Sequence, residues 1–202
     1  MSQPDSEIDS GTQPPVQGGL SAGRAVLKGV ADAFRPIYTT VELIGGHLIV
    51  AEPQNSPHAT AVGAADDALR AALPKGFIVR AQMPISLDDD SAPEPDLAVV
   101  SGRRADYGQE HPTRAVLVIE VADSSLHFDR REKGSLYARA RIAEYWIVNL
   151  IDRVLEVYRD PEPDPLAPHG WRYRAVSRLA PPAVVAPVAL PAVEIRVGDL
   201  LA

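Results

Sequence analysis

Val116-Leu117-Val118-Ile119-Glu120-Val121-Ala122 is a continuous apolar run with one carboxylate inside it. Its length and its β-branched residues predict a strand buried on both faces. An ionised carboxylate left alone there costs several kcal/mol or shifts its pKa, so Glu120 needs partners. Upstream, Asp96 opens a second strand-like run, Leu97-Ala98-Val99-Val100, and follows Pro95, which biases the residue before it toward extended backbone. If the two strands are neighbours, the two carboxylates converge at their ends. Oxygen donors at such a point suit a hard divalent cation.

The chain has 202 residues, enough for one domain with a sizeable core. It contains no cysteine, which excludes disulfides, thiolate metal sites and a cysteine nucleophile. No stretch approaches the ~18 uninterrupted apolar residues of a membrane span, and the first residues do not read as a leader, so a cytoplasmic protein without membrane contact is the expectation. The formal charge of -7 opposes broad attraction to nucleic acid. That charge is uneven: residues 130–141 hold Arg130, Arg131, Lys133, Arg139 and Arg141 against Glu132 alone.

Residues 1–23, rich in Pro, Gly, Gln and Ser, read as a disordered tail, and residues 24–202 as a single domain. Leu27, Val30, Ala31 and Phe34 predict a short covering helix that stops at Pro36. Strands at 38–44 and 48–51 flank Gly45-Gly46, the signal of a tight hairpin. Ser56 as N-cap and Pro57 at the first helical position open a helix whose apolar face is Val62, Ala65, Leu69 and Leu73. A strand over 77–83 follows, with a further short one expected at 85–87. Asp88, Asp89 and Asp90 read as a solvated turn. Beyond the 116–122 strand, a helix is expected over 129–141, then a hairpin of 144–149 with 154–158, a Pro-rich loop over 160–169, and a strand over 171–176. Gly134 inside the helix costs up to ~1 kcal/mol relative to Ala, which a close approach to neighbouring backbone would explain. The order describes an α/β (α+β) fold, a mixed sheet covered by helices.

Strand alternation puts Val116, Val118, Glu120 and Ala122 on one face. A metal nuclease of the PD-(D/E)XK type carries lysine where Ala122 stands. The following helix offers Lys133, one of three lysines in the chain, in its place. The pieces Glu42–Val50, His58 opening a helix, Glu94–Val100, Val118–Ser125, Asp129–Lys133, Tyr137 and Glu144–Asn149 together resemble the Uma-two family, a bacterial group classed with the restriction endonucleases within the PD-(D/E)XK superfamily. The resemblance covers about residues 38–160.

That resemblance implies a restriction-endonuclease-like mixed sheet flanked by helices and a metal-dependent endonuclease acting on DNA. It also implies Asp96 and Glu120 as ligands of Mg²⁺ or Mn²⁺, the Val121 carbonyl as a third ligand, and Lys133 as the displaced catalytic lysine. Products with 5'-phosphate and 3'-hydroxyl ends follow from the same likeness, and cleavage of both strands implies a homodimer by symmetry. Two departures stand out: His47 replaces the usual acid after the hairpin glycine, which questions a carboxylate from the hairpin, and Ala122–Ser125 replaces Leu-Ser-Pro-Ser. Each site residue also has a structural alternative. Asp96 can cap a turn, Glu120 can pair with Arg114 or Arg141, and Lys133 can pair with Asp129 four residues back. His58 suits capping or packing as well as general base work, and Tyr137 suits the core. The same residues therefore also accommodate a nuclease-fold binding or regulatory domain without catalysis, or a hydrolase of another substrate.

Overall fold

The computed structural model describes residues 40–51 and 53–201. The tail expected over 1–23 and the helix expected before Pro36 lie outside the described residues. The hairpin pairs β1 (Thr40–Ile44) with β2 (His47–Ala51). Both turn glycines have positive φ, and at Gly45 a Cβ would lie 2.8 Å from the His169 ring. The hairpin leans on the acidic loop: the Ala92 N–H donates to the Leu43 carbonyl at 2.8 Å and the Gly46 N–H to the Asp90 carbonyl at 2.8 Å.

Helix α1 (Ser56–Ala72) starts one residue earlier than its sequence signals suggest. Asn55 is the N-cap, its side chain accepting from the His58 N–H at 3.0 Å, and Ser56 already has helical backbone. Asparagine caps as well as serine does, and here it also reaches Asp123. After β3 (Phe77–Ala81), residues 85–87 form no strand. The Ile85 and Leu87 N–H groups bond the Pro93 and Ser91 carbonyls within a closed loop. β4 (Leu97–Ser101) and β5 (Leu117–Ala122) follow, every residue of β5 being buried.

Residues 126–139 form one continuous helical segment, α2. A single α turn (Leu126–Phe128) leads into a π-helical stretch (Asp129–Lys133) and an α-helical part (Gly134–Arg139). The wider turn explains Gly134: a Cβ there would sit 3.3 Å from the Asp129 carbonyl oxygen. β6 (Glu144–Asn149) pairs with β7 (Val154–Pro163), which pairs with β8 (Trp171–Leu179). β7 therefore takes in residues read as loop, because the β8 ladder continues through Pro161 opposite Tyr173 and Pro163 opposite Trp171. Two-residue strands β9 (Val184–Val185) and β10 (Ile195–Arg196) close the chain, followed by a 3₁₀ turn (Val197–Leu200).

The main sheet runs β3-β4-β5-β6-β7-β8, antiparallel except for the parallel pair β5–β6, and is α+β in architecture. Strand alternation separates two cores. One face presents Leu97, Val99, Leu117, Ile119, Val121, Trp146 and Val148 to α1 and the C-terminal segment. Val62 and Leu69 of α1 bury there, worth roughly 1.5–3 kcal/mol each. The other face presents Ala98, Val118, Ala122 and Ile147 to Tyr137 and Ala138 of α2. Glu120 belongs to this second face.

Candidate active site

The β4–β5 register runs Leu97 to Ile119, Ala98 to Val118 and Val99 to Leu117. Continued by one position, it sets Asp96 opposite Glu120, on the face covered by α2. The ladder ends there, and polar groups take over. The Val121 N–H donates to Asp96 Oδ2 at 2.8 Å, and the Asp96 N–H to Glu120 Oε2 at 3.3 Å. By the same register Pro95 stands opposite Val121. Having no N–H, proline offers the Val121 carbonyl no ladder bond at this position.

Lys133 projects from the π-helical stretch toward this point. Its Nζ donates to Glu120 Oε1 at 3.0 Å and to Glu42 Oε1 of β1 at 3.1 Å. Tyr137, one turn further along α2, donates its hydroxyl to the same Glu120 Oε1 at 2.8 Å. The structure thus brings Asp96, Glu120, Val121 and Lys133 together. The alternatives for Glu120 are not realised: its cation is Lys133, while the Arg141 guanidinium stacks 5.4 Å from the Trp171 ring.

Glu42, Gln54 and Asp129, to which the sequence reading gave no catalytic or ligand role, join them, as does His58, which that reading divided between capping, packing and general base work. Glu42 is 5 % exposed and its Oε2 has no hydrogen-bond partner. Its signal was present, since an acid inside Val41-Glu42-Leu43-Ile44 repeats the pattern of Glu120. His47, the position that raised the doubt about a hairpin carboxylate, is exposed, and the hairpin supplies its acid five residues earlier. His58 Nε2 lies 3.0 Å from Asp96 Oδ2, and Gln54 Nε2 lies 3.4 Å from Asp96 Oδ1. Asp129 is buried and accepts from the Ser125 hydroxyl at 2.5 Å. Asn55 ties the mouth together, capping α1 and donating to Asp123 at 2.7 Å. Asp88, Asp89 and Asp90 stay exposed and away from the site, with Asp88 paired to Arg139 at 2.5 Å.

The electrostatics follow from burying four carboxylates around one ammonium. Burial pushes Glu120 well above the ordinary carboxylate range; Lys133 opposes this, and Asp96, Asp129 and Glu42 add to it. Burial likewise lifts Asp129 to about 6, against the pull of Lys133 and the Ser125 hydroxyl. For Lys133, burial is the largest single influence and lowers its pKa. The combined fields of Glu120, Glu42, Asp129 and Asp96 outweigh it and hold the ammonium charged, well above the usual lysine value. His58 is raised by its hydrogen bond to Asp96 and lowered less by burial. All these groups move in the direction of holding protons, the response of a cluster with surplus negative charge.

A divalent cation fits that surplus. Four carboxyl groups gather around the single buried ammonium of Lys133, the donors are oxygens, and Glu42 Oε2 is buried without a partner. Among the described residues, however, no three of His, Asp or Glu form a ready-made metal cage. Mg²⁺ tolerates this, since it is commonly bound through one or two carboxylates with water and phosphate completing the shell.

A six-stranded mixed sheet with helices on both faces, and paired carboxylates where β4 meets β5, define an α+β protein of nuclease-like fold. The family model Uma2, described as "Putative restriction endonuclease", matches residues 33–198, and the chain belongs to that family. The fold is similar to the crystal structure of "a putative nuclease belonging to DUF820" from Anabaena variabilis ATCC 29413. The TM-score is 0.60 and the identity 17 %, over 80 % of this chain and 89 % of that one. At that identity the likeness is one of fold. No curated protein matches the chain.

Proposed function

We propose that the protein is a metal-dependent DNA endonuclease, with Asp96, Glu120 and the Val121 carbonyl as ligands of Mg²⁺ or Mn²⁺ and Lys133 as the catalytic lysine. What carries this reading is the meeting of Asp96 and Glu120 at opposed ladder positions with a buried ammonium 3.0 Å from Glu120. When bound, the metal polarises a phosphoryl oxygen and acidifies water. Lys133, held in place by Glu42 and Glu120, offsets the negative charge that builds on the reacting phosphate. Tyr137 fixes the Glu120 carboxylate from behind. His58, its side chain 17 % exposed, sets Nε2 3.0 Å from Asp96 Oδ2, a position from which it can exchange a proton between that carboxylate and solvent.

The test is nicking of supercoiled plasmid with Mn²⁺, alongside calorimetry of Mn²⁺ binding. Unmutated protein binds and nicks, and Asp96→Ala and Glu120→Ala do neither. Absence of metal binding by the unmutated chain sinks the proposal. One observation favours a second reading, a nuclease fold that binds without cutting: the oxygens of Asp96 and Glu120 already serve internal hydrogen bonds. Metal binding with no cleavage of DNA or RNA supports that reading.

A further inference from the structure

On the other side of α2 from Glu120 lies a cavity of about 220 Å³ that the chemistry above leaves unused. Its floor is Gly134 and Ser135, and its walls carry Trp171 and Tyr158 with Arg131 and Arg172. Gly134 directly follows Lys133, so cavity and candidate site lie on opposite sides of a single helical turn.

The cavity is built rather than incidental. Ser135 Oγ donates to the Trp171 carbonyl at 2.7 Å and accepts from the His169 N–H at 2.9 Å, which ties α2 to the start of β8. The Arg141 guanidinium lies 5.4 Å from the Trp171 ring centroid and helps fix the indole. Tyr158 is braced by Tyr145 at 5.5 Å and Tyr173 at 6.1 Å between ring centroids. Arg172 meets Glu162 at 2.9 Å and Asp164 at 3.6 Å but stays 58 % exposed, and Arg131, 63 % exposed, meets Glu132 only at 3.8 Å, so both guanidiniums keep donors free for an anion. In a chain of net charge -7, cations and aromatic rings converging on one concavity suit a planar ring that carries an anion.

We infer that this cavity takes one nucleotide of a single nucleic-acid strand, its base against Trp171 and its phosphate on Arg131 and Arg172. Because of its position beside Lys133, it serves as a subsite for a nucleotide flanking the scissile phosphate. This last step rests on the nuclease proposal; the binding itself does not.

Tryptophan fluorescence tests it in EDTA, where no cleavage occurs. Trp146 is fully buried, so Trp171 is the indole open to a ligand. Titration with oligothymidylate of about ten nucleotides should quench the emission at low salt. By anisotropy of a fluorescein-labelled oligothymidylate, a readout that does not depend on the indole, Trp171→Phe, and separately Arg131→Ala with Arg172→Ala, should each weaken binding roughly fivefold or more, with far-UV circular dichroism unchanged. Arg131 and Arg172 are both exposed, so their double variant is expected to fold, and a failure of Trp171→Phe to fold does not rescue the idea. Unchanged emission on titration, or wild-type affinity in the arginine variant, overturns the nucleotide site. Quenching and arginine dependence in a chain that never cleaves would leave the subsite standing and remove the nuclease proposal. Normal cleavage with unchanged affinity in the variants does the reverse.

Discussion

Replacing Lys133 by methionine tests whether the ammonium is what makes the buried carboxylates tolerable. Lys133→Met keeps most of the aliphatic stem and removes two charge-assisted bonds, to Glu42 at 3.1 Å and Glu120 at 3.0 Å. Such bonds contribute about 1.5–3 kcal/mol each. Removing one partner of a buried pair costs about 3–5 kcal/mol, so the two routes agree on a loss of about 3–5 kcal/mol near pH 8. The loss depends on pH, and its sign can be worked out. Asp129 in the folded protein titrates near about 6, above its ordinary 3.8, and Glu120 is raised as well. A raised carboxyl takes up its proton in the native state first, so stability rises as pH falls through the folded pKa toward the unfolded one. Without Lys133 both groups rise further, and the variant should regain about 1–3 kcal/mol of its deficit near pH 5. Urea unfolding followed by circular dichroism at the two pH values measures this, and adding Glu120→Gln should restore part of the loss. A deficit below about 1 kcal/mol near pH 8, or one that does not change with pH, would refute the argument that charge balance organises the site.

Asn55→Ala should lower stability by about 1 kcal/mol through loss of the α1 cap, with a further loss from Asp123, measured by thermal unfolding. An unchanged midpoint would show that the cap contributes nothing. Glu156 sets the acid limit of another network. Arg130 Nε donates to it at 2.9 Å, and hydrogen bonds from Arg130, Asn149 and Tyr158 lower it to about 2 despite burial. A depressed carboxyl stabilises the fold above its unfolded pKa of 4.5, a contribution of about 3 kcal/mol lost as pH falls toward about 2. The stability difference between the wild type and Glu156→Gln should therefore shrink over that window; a constant difference would contradict the assignment.

Local periodicity made most of the fold legible. The buried run at 116–122, the Gly45-Gly46 turn and the strand at 144–149 each announce themselves within a few residues, because burial and turn geometry act at short range. Asp96 and Glu120 were readable for the same reason, as acids at the edge and in the middle of apolar runs. Element ends were less legible where the next strand decides them: Pro161 and Pro163 belong to β7 because β8 pairs with them. The cap of α1 was misplaced by one residue because both Asn55 and Ser56 can cap. Asn55 takes the position with its own bond to Asp123, 68 residues away.

By itself the sequence determined that an acid lies buried at Glu120, that another, Asp96, opens the neighbouring run, and that Ala122 leaves the strand without a lysine. Only the tertiary structure decided what surrounds them. Lys133 reaches Glu42 across 91 residues of chain, His58 reaches Asp96 across 38, and helical spacing brings Lys133 and Tyr137, four residues apart in α2, onto one oxygen of Glu120. The charge of a buried cluster is shared among distant segments, so no stretch of sequence carries it. It exists once the hairpin, α1 and α2 close over the sheet.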